Sequence, residues 1–539
     1  LRKDGTPCQD EVPFRRVLIA NRGEIAVRIV RACRDLGMES VAVYSDADAG
    51  AAHVQLADAA IRLGPAAPTE SYLRIDAIVE AALASGAEAI HPGYGFLSER
   101  AVFARAVEAA GLVFVGPSPA VLEALGDKLR ARRLARQVRV PTVPGTLEAV
   151  PVERPDQVDA IVEEARALGY PLLVKAAAGG GGRGMRRVES ERELPAALVA
   201  GSHEAASAFG DGTVYLEREI GSARHVEVQL LGDAEGRVVA IGERDCSLQR
   251  RHQKLVEEAP APGLTPDVRR DLHAMAARLG AAAGLTNAAT CEFLLDPSGA
   301  FAFLEVNTRL QVEHGVTELV TGLDLVAEQF RLAAGQPLSA EVLAAAERAV
   351  DPGSHAIEVR LSAEDPAREF APTPGTIRRW RMPAGPGVRV DTAIREGDRV
   401  PPDYDNLIAK VMAHGPSREV AIDRLRRALD EVEVGGLQTT LPFDRFVARD
   451  ASFRAGNVST TWVAEHWDGP ADRERARETA FQAAGLAQLA GDGPAAEVRA
   501  ALPTAVPAWV AAHPDDGGAL PAAGWDRAAL EAGVDRWPT

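Results

Sequence analysis

The sequence predicts a chain of mixed α/β and α+β class: a doubly wound N-terminal domain, a small domain built around a glycine loop, and a larger α+β domain. Three observations predict it. Strand and helix signals alternate between Arg16 and about residue 136. An apolar run, YPLLVKAAA (170–178), and an extended run, MRRV (185–188), flank the glycine-rich stretch GGGGRGM (179–185). Beyond about residue 220, hairpin and antiparallel signals replace the alternation.

The alternation opens with the short strand RVLIA (16–20). A helical pattern from Glu24 to Leu36 follows, with Ile25, Ile29 and Ala32 on one face, and then a second strand, SVAVY (40–44), leading to Asp46. Strand, helix, strand and terminal acid make a βαβ unit of the kind that binds dinucleotides. Its turn, NRGEIA, has one glycine and no GxGxxG, so these residues are expected to be scaffold at a pocket edge. A helix near 72–84, strand EAIHP (88–92), a helix over 99–110, strand LVFVG (112–116) and a helix over 119–136 complete a domain of about 14–130. Four prolines in 137–155 mark a linker. The glycine-loop domain spans 146–219 and the α+β domain 220–467. An alanine-, proline- and glycine-rich tail, 468–539, reads as a loosely packed helical appendage or a linker toward further modules.

Composition narrows the function class. The 539 residues are 46% hydrophobic and 5% aromatic, an ordinary soluble globular mixture. A formal net charge of −17 argues against a nucleic-acid binder but leaves room for a local basic pocket. The cysteines Cys8, Cys33, Cys246 and Cys291 form no CxxC pair, which suits a reducing cytosol and a cytoplasmic location. No stretch reaches about 18–20 uninterrupted apolar residues, so no membrane span is expected. The first twelve residues lack a signal-peptide core and an initiator methionine, so the chain is expected to start inside a longer product or after processing.

Four stretches carry chemistry. The glycine loop lacks the Walker spacing, yet Lys175 precedes it and Arg183 lies within it. It reads either as a phosphate cradle of backbone N–H groups and cations or as a surface turn. CEFLL (291–295) and FAFLEVN (301–307) flank the turn former DPSG and should pair as an antiparallel hairpin. Closing symmetrically, the hairpin sets Glu292 opposite Phe303, with Glu305 and Asn307 on the face of Glu292. Glu292 and Glu305 are then diagonal neighbours about 7–8 Å apart. Convergent carboxylates on apolar strands call for a cation, and all-oxygen ligands suggest magnesium; solvated glutamates on an open sheet face are the other reading.

The third stretch, from Glu243 to Leu255, holds Arg244, Arg250, Arg251, His252 and Lys254, a reversal of sign in an acidic chain. It is a solvated basic loop or an anion pocket, and spacing does not separate the two. In the fourth, NTRLQVEHGVTE (307–318), Arg309, Gln311 and Glu313 alternate from the strand face of Asn307, which places Glu313 to act as a base on a bound anion; helix capping or surface salt bridging is the other reading. HAIEVRL (355–361) alternates as a half-buried strand with Glu358 and Arg360 on one face.

Taken together, NRGEIAVR (21–28), HPGYGFLSE (91–99), GGGGRGM (179–185), ERDCSLQRRHQK (243–254) and EVNTRLQVEH (305–314) resemble the biotin carboxylases of the ATP-grasp superfamily, over about residues 14–467. The resemblance implies an ATP-grasp fold and the cofactors ATP, Mg2+ (or Mn2+) and biotin on a separate or downstream carrier. Lys128 and Lys175 look like the lysines on the ATP phosphates, and the loop with Gly180, Gly181, Gly182 and Gly184 like the lid that closes over them. Glu217, Arg218 and Ile220 match the ribose and adenine rim, completed by Gln249 and His252, with His225 near the nucleotide.

Glu292, Glu305 and Asn307 match the metal ligands. Lys254, Arg309, Gln311 and Val312 resemble the bicarbonate site, Glu313 the base that deprotonates bicarbonate, and Arg360 the cation that stabilises the biotin enolate. Ala178 stands where many relatives have another glycine, and Gly315 where proline is usual. No A-M-K-M biotinyl motif occurs, so the carrier is expected on another chain or beyond residue 539.

The implied activity is ATP- and bicarbonate-dependent carboxylation of carrier-bound biotin through carboxyphosphate, as the first half-reaction of an acyl-CoA carboxylase. The same half-reaction in a pyruvate or urea carboxylase is the neighbouring alternative. A non-catalytic ATP-binding scaffold would require lost ligands, and every matched position is filled. Expected partners are a carrier domain and a carboxyltransferase, in a homo-oligomer or larger complex, with no nucleic acid and no membrane.

Overall fold

The computed structural model describes residues 13–150, 158–177 and 185–490. Gly180, Gly181, Gly182 and Gly184 of the expected lid, and the tail beyond residue 490, lie outside the described residues. The chain divides into two compact units. One holds the residues up to Glu358 with His414–Arg418 and Val458–Ala464; the other holds Val359–Ala413, Glu419–Asn457 and the residues from Glu465.

The first unit begins with β1 (Arg16–Ile19), α1 (Gly23–Asp35), β2 (Glu39–Ser45), α2 (Ala52–Leu56), β3 (Ala59–Gly64), α3 (Ile75–Ser85), β4 (Ala89–His91), α4 (Ala101–Ala109) and β5 (Val113–Phe114). The strands form a parallel sheet in the order β3-β2-β1-β4-β5. That order, reversing direction on either side of β1, is a doubly wound arrangement. Strand β3 is an edge strand with an exposed first half, so it lacks the apolar run that marks β1 and β2. The helix expected over 119–136 is two helices, α5 (Pro119–Gly126) and α6 (Lys128–Gln137). The break is at Asp127, whose carboxylate accepts from the Arg130 N–H at 2.9 Å as an N-cap. The restart makes Lys128 the first residue of a helix.

A three-stranded antiparallel sheet follows, with β6 (Leu172–Ala176) between β7 (Arg186–Val188) and β8 (Val214–Arg218), and helices α7 (Val158–Leu168) and α8 (Leu194–Phe209). Leu172, Val174, Val188, Leu194, Leu198, Val214 and Leu216 form its core on one face. The two-residue period therefore sends Leu173, Lys175 and Glu217 to the other.

The third sheet of this unit contains β9 (Arg224–Gly232), β10 (Val238–Arg250), β11 (Gln253–Ala259), β12 (Asn287–Leu295) and β13 (Phe301–Asn307), in the order β13-β12-β9-β10-β11. One face packs Val226, Val228, Cys291, Phe293 and Phe303 with Leu272, Ala276 and Leu279 of α9 (Pro266–Ala282). Helix α10 (His314–Thr321) starts seven residues after β13 ends, and α11 (Leu325–Ala333) and α12 (Ala340–Arg348) follow.

The chain leaves this unit within β14 (His355–Ser362). β14 is not the half-buried strand that its alternation suggests. Glu358 is as buried as Ile357 and Val359, and only Arg360 is half-buried. The second unit pairs Val388–Thr392 with Ala409–Ala413 and adds short two-stranded ribbons, and its last described element is the helix Gly469–Ala490. Phe443 meets Phe370 and Trp467 edge to face, Phe446 lies tilted against Trp467, and Arg473 pairs with Asp365.

Within the first unit a buried carboxylate makes stability depend on acid. Glu258 accepts from His355 Nε2 at 2.7 Å and from Arg418 Nε and Nη2 at 2.7 and 3.0 Å. Burial alone would raise this carboxyl, but the two donors outweigh it and hold it at about 2, below the ordinary 4.5. A depressed carboxyl contributes stability above its unfolded value that is lost as pH falls toward the folded one. Glu258→Gln is therefore expected to cost about 3 kcal/mol at pH 7 and to flatten the acid limb of stability between pH 4.5 and 2. Urea unfolding at a series of pH values checks this; parallel curves for both proteins would contradict it.

Candidate active site

The site is built on one transverse row of the large sheet. Arg244 on β10 pairs with Glu227 on β9, Glu227 with Glu292 on β12, and Glu292 with Glu305 on β13. Four charged side chains thus stand side by side on the face opposite Val226, Phe293 and Phe303. Adjacent strands lie about 4.8 Å apart, and like charges directly opposite repel. Three neighbouring carboxylates therefore need cations, and the fold supplies them.

Arg244, with no exposed surface, donates from Nε to Glu227 Oε1, and further to Gln229, Thr317 and Thr290 at 3.0, 2.8 and 3.2 Å. Lys254 on β11 stands over the middle of the row. Its Nζ donates to Glu227 Oε2, to Glu292 at 3.0 Å and to Glu313 at 2.8 Å. Burial opposes its charge, but these three carboxylates hold the ammonium well above its ordinary range. Lys128 closes the far end, 3.2 Å from Glu305.

The expected register of the hairpin is corrected by the structure. Glu292 does not face Phe303 with Glu305 on the diagonal; Phe293 pairs with Phe303, and Glu292 pairs directly with Glu305. Two local features account for this. Ala300 joins the turn, where Asp296 Oδ1 accepts from the Ser298 and Ala300 N–H groups, and a bulge at the Glu292/Phe293 step absorbs Leu304. The bulge also puts Phe303 and Glu305 on opposite faces. The phenylalanines pack in the core with ring centroids 6.1 Å apart, and the glutamates face the cleft.

The structure also corrects the segment after Asn307. Arg309, Gln311 and Glu313 do not extend a strand, because β13 ends at Asn307 and Glu313 is the N-cap of α10. They converge nonetheless. Arg309 donates to Glu99 at 3.0 Å and to Gln311 Oε1 at 2.5 Å, Gln311 Nε2 to Glu292 at 3.2 Å, and Asn307 Nδ2 to Glu292 at 2.7 Å. Glu313 is wholly buried, with its Oε1 on Lys254 and 3.9 Å from Cys246 Sγ. Val312 beside it is half-buried. His225 Nε2 lies 2.8 Å from Glu292 Oε2; burial lowers its basicity, but Glu292 outweighs that and raises it.

The basic run of 243–255 divides between the site and solvent. Arg244 and Lys254 point into the site, while Arg251 and His252 form an exposed tip with φ of 48° and 67°. Gln249, paired with Lys254, is buried beside them. Across the cleft face of the small sheet, Lys175 donates to Glu217, which is 1% exposed. Arg218 is exposed and Ile220 half-buried on the segment that follows. Arg360 belongs to the second unit, where its carbonyl accepts from Thr440 Oγ1 at 3.0 Å.

Sequence reasoning missed Glu99, Arg132, Glu227 and Cys246 as parts of the site, and named Arg244 only as one cation of the 243–255 run. Glu227 was detectable, because RHVEVQL (224–230) alternates His225, Glu227 and Gln229 against Val226, Val228 and Leu230. The place of Arg244 in the row needed the strand register, and Arg132 needed the packing of a helix against a sheet, which has no local signature.

The sheet arrangement and the cleft with its two lysines and facing carboxylates define an ATP-grasp enzyme. The comparisons agree: residues 13–122 match the biotin carboxylase N-terminal domain, 127–341 the carbamoyl-phosphate synthase L chain ATP-binding domain, and 358–465 the biotin carboxylase C-terminal domain. The chain is 47% identical to a biotin carboxylase of Nostoc sp. over 84% of its length and 99% of that protein. It is 46% identical to a pyruvate carboxylase subunit of Methanothermobacter thermautotrophicus (85% of this chain, 91% of that one). It is 47% identical to a biotin-dependent acyl-coenzyme A carboxylase alpha3 subunit of Mycobacterium leprae (84% and 75%). The biotin carboxylase domain of Hydrogenobacter thermophilus 2-oxoglutarate carboxylase, solved with MgADP, ADP and bicarbonate, superposes with a TM-score of 0.80 at 44% identity, covering 84% of this chain and 98% of that one.

The chain belongs to the biotin carboxylase family. It is a ligase of the ATP-grasp class. Among the described residues no helix is long and apolar enough to cross a membrane.

Proposed function

We propose that the chain carboxylates carrier-bound biotin as the first half-reaction of an acyl-CoA carboxylase, with the row Arg244–Glu227–Glu292–Glu305 and Lys254 at its centre. The observation that carries this reading is the convergence of Lys254 on Glu313, with Arg309 and Gln311 beside it. A bicarbonate ion between Lys254 and Arg309 would meet two cations and the Glu313 carboxyl group. Glu313 takes the bicarbonate proton, and the resulting dianion attacks the γ-phosphate of ATP, giving carboxyphosphate and ADP. Lys128 and Lys175 neutralise the phosphates from the faces of α6 and β6. Carboxyphosphate then yields carbon dioxide and phosphate, phosphate accepts the ureido proton of biotin, and Arg360 stabilises the charge left on the ureido oxygen. Gln249, His252 and the backbone at Arg218–Ile220 border the nucleoside.

Glu305 fits a magnesium ligand: among the described residues it meets only Lys128, so it has oxygen lone pairs to spare. Glu292 and Asn307 stand beside it, although Glu292 already accepts from four donors. Bound there, magnesium would supply neutralisation of charge on the transferring phosphoryl group. Glu305→Gln is expected to weaken Mn2+ binding in the presence of ADP about tenfold or more, as read by electron paramagnetic resonance. Unchanged binding would mark Glu305 as a solvated sheet residue.

Phosphate release from ATP with magnesium and bicarbonate, with and without free biotin, tests the half-reaction. Biotin-stimulated, bicarbonate-dependent release supports it, and stimulation by a different acceptor overturns it. The acyl-CoA acceptor is supported by the 47% identical mycobacterial relative, and the second reading, a pyruvate acceptor, by the 46% identical relative from Methanothermobacter. A biotinylated carrier charged by this chain, offered to acyl-CoA and pyruvate carboxyltransferases in turn, separates the two.

A further inference from the structure

We propose that Arg132 is a positioning residue for the nucleotide phosphates, acting through Glu217 on Lys175. The inference rests on the assignment of Lys175 to those phosphates. Arg132 lies on α6, one turn after Lys128, and has no exposed surface. Its Nη1 donates to Glu217 Oε1 and its Nη2 to the Val143 carbonyl at 2.7 Å, with the guanidinium 5.7 Å from the centre of the Tyr215 ring. The other oxygen of Glu217 takes Lys175 Nζ. Both oxygens of Glu217 thus meet protein cations, and its side chain is not a nucleotide ligand. Any contact of Glu217 with adenine or ribose is left to its backbone.

Burial raises the Glu217 carboxyl, but Lys175 and Arg132 together outweigh it and hold the group ionised. The division of labour follows from that. A buried carboxylate with a single counter-charge holds it tightly, because leaving it unpaired is costly. With Lys175 as the only partner, Glu217 would keep the ammonium out of reach of a phosphate. Arg132, pinned by Val143 and Tyr215, is the permanent partner and leaves Lys175 shareable. Gly145 preserves the geometry: a Cβ there would lie 2.9 Å from Arg132 Nη2 and 2.4 Å from the Leu216 carbonyl.

The test compares nucleotides that differ only in phosphate. Calorimetry of the full chain with ADP and with AMP is expected to show that Arg132→Met weakens ADP about tenfold to a hundredfold and AMP less than about twofold. Arg132→Lys, which keeps a charge beside Glu217, is expected to recover most of the difference. Equal losses for ADP and AMP, or no loss at all, would overturn the proposal, since a structural role would affect both ligands alike. If Arg132→Met does not fold, Arg132→Lys decides by its own ADP-to-AMP ratio, which must fall at least partway. Lys175→Met separates the underlying assignment: if it leaves the ADP-to-AMP ratio unchanged, Lys175 does not hold phosphate and the proposal falls with that assignment. If it lowers the ratio while Arg132→Met does not, only the role of Arg132 is refuted.

Discussion

Glu313→Gln is expected to reduce bicarbonate-dependent phosphate release by about 10²–10⁴-fold, the usual contribution of a positioned base, while leaving ADP binding nearly unchanged. The two effects separate because of where the side chain sits. Glu313 is wholly buried at the N-cap of α10, where it meets Lys254 and Cys246 rather than Lys128 or Lys175. Glutamine has the same shape and keeps an acceptor for the Lys254 ammonium. Lys254 is in any case held by Glu227 and Glu292. The substitution therefore removes one capacity, that of taking a proton. Phosphate release and ADP titration on the same preparation check it. A parallel loss of both would mean that Glu313 supports the architecture of the nucleotide site, and the base would have to be sought elsewhere.

The parts of the site that could be read from sequence were those whose residue types repeat with the period of their own strand. Glu292, Glu305 and Asn307 share a face as expected, yet the symmetric hairpin reaches that face through the wrong register. The bulge that absorbs Leu304 and the fifth turn residue Ala300 compensate for each other. Neither leaves a mark in sequence, because a bulge is a property of the pairing and not of one strand. The N-terminal α/β order was legible from apolar runs alternating with helical faces, except at β3, where an edge strand has one solvated side and no continuous apolar run.

The segment Asn307–Glu313 reads as a strand because Arg309, Gln311 and Glu313 alternate. In the structure the same three residues converge through a turn that caps α10. The division between cationic residues that face the site and those that face solvent within 243–255 depends on a hairpin tip at Arg251 and His252. The long-range partners, Arg132 to Glu217 and Arg309 to Glu99, are separated by 85 and 210 positions and have no local signature.

The row of charges has a consequence for stability as large as its consequence for chemistry. Arg244 is the end member, and it satisfies Glu227 from the side that Lys254 cannot reach. The Glu227 carboxyl is already raised by burial, with Glu313 and Glu292 adding to the effect, and Arg244 and Lys254 oppose the rise. Arg244→Met fits the volume but leaves Glu227 desolvated with one cation shared three ways. It also strips a donor from Gln229, Thr290 and Thr317. Breaking one side of such a buried pair costs about 3–5 kcal/mol, so thermal unfolding of the first unit is expected roughly 5 °C lower.

Because the cost comes from uncompensated charge, removing the charge as well should recover part of it. Arg244→Met combined with Glu227→Gln is expected to regain about 1–2 kcal/mol over Arg244→Met alone. A double variant no more stable than the single one would show that Arg244 acts through packing. A regain with carboxylation still abolished would show that the ionised Glu227 is needed to hold Lys254 beside Glu313, a chemical reason for keeping three carboxylates side by side at a cost in stability.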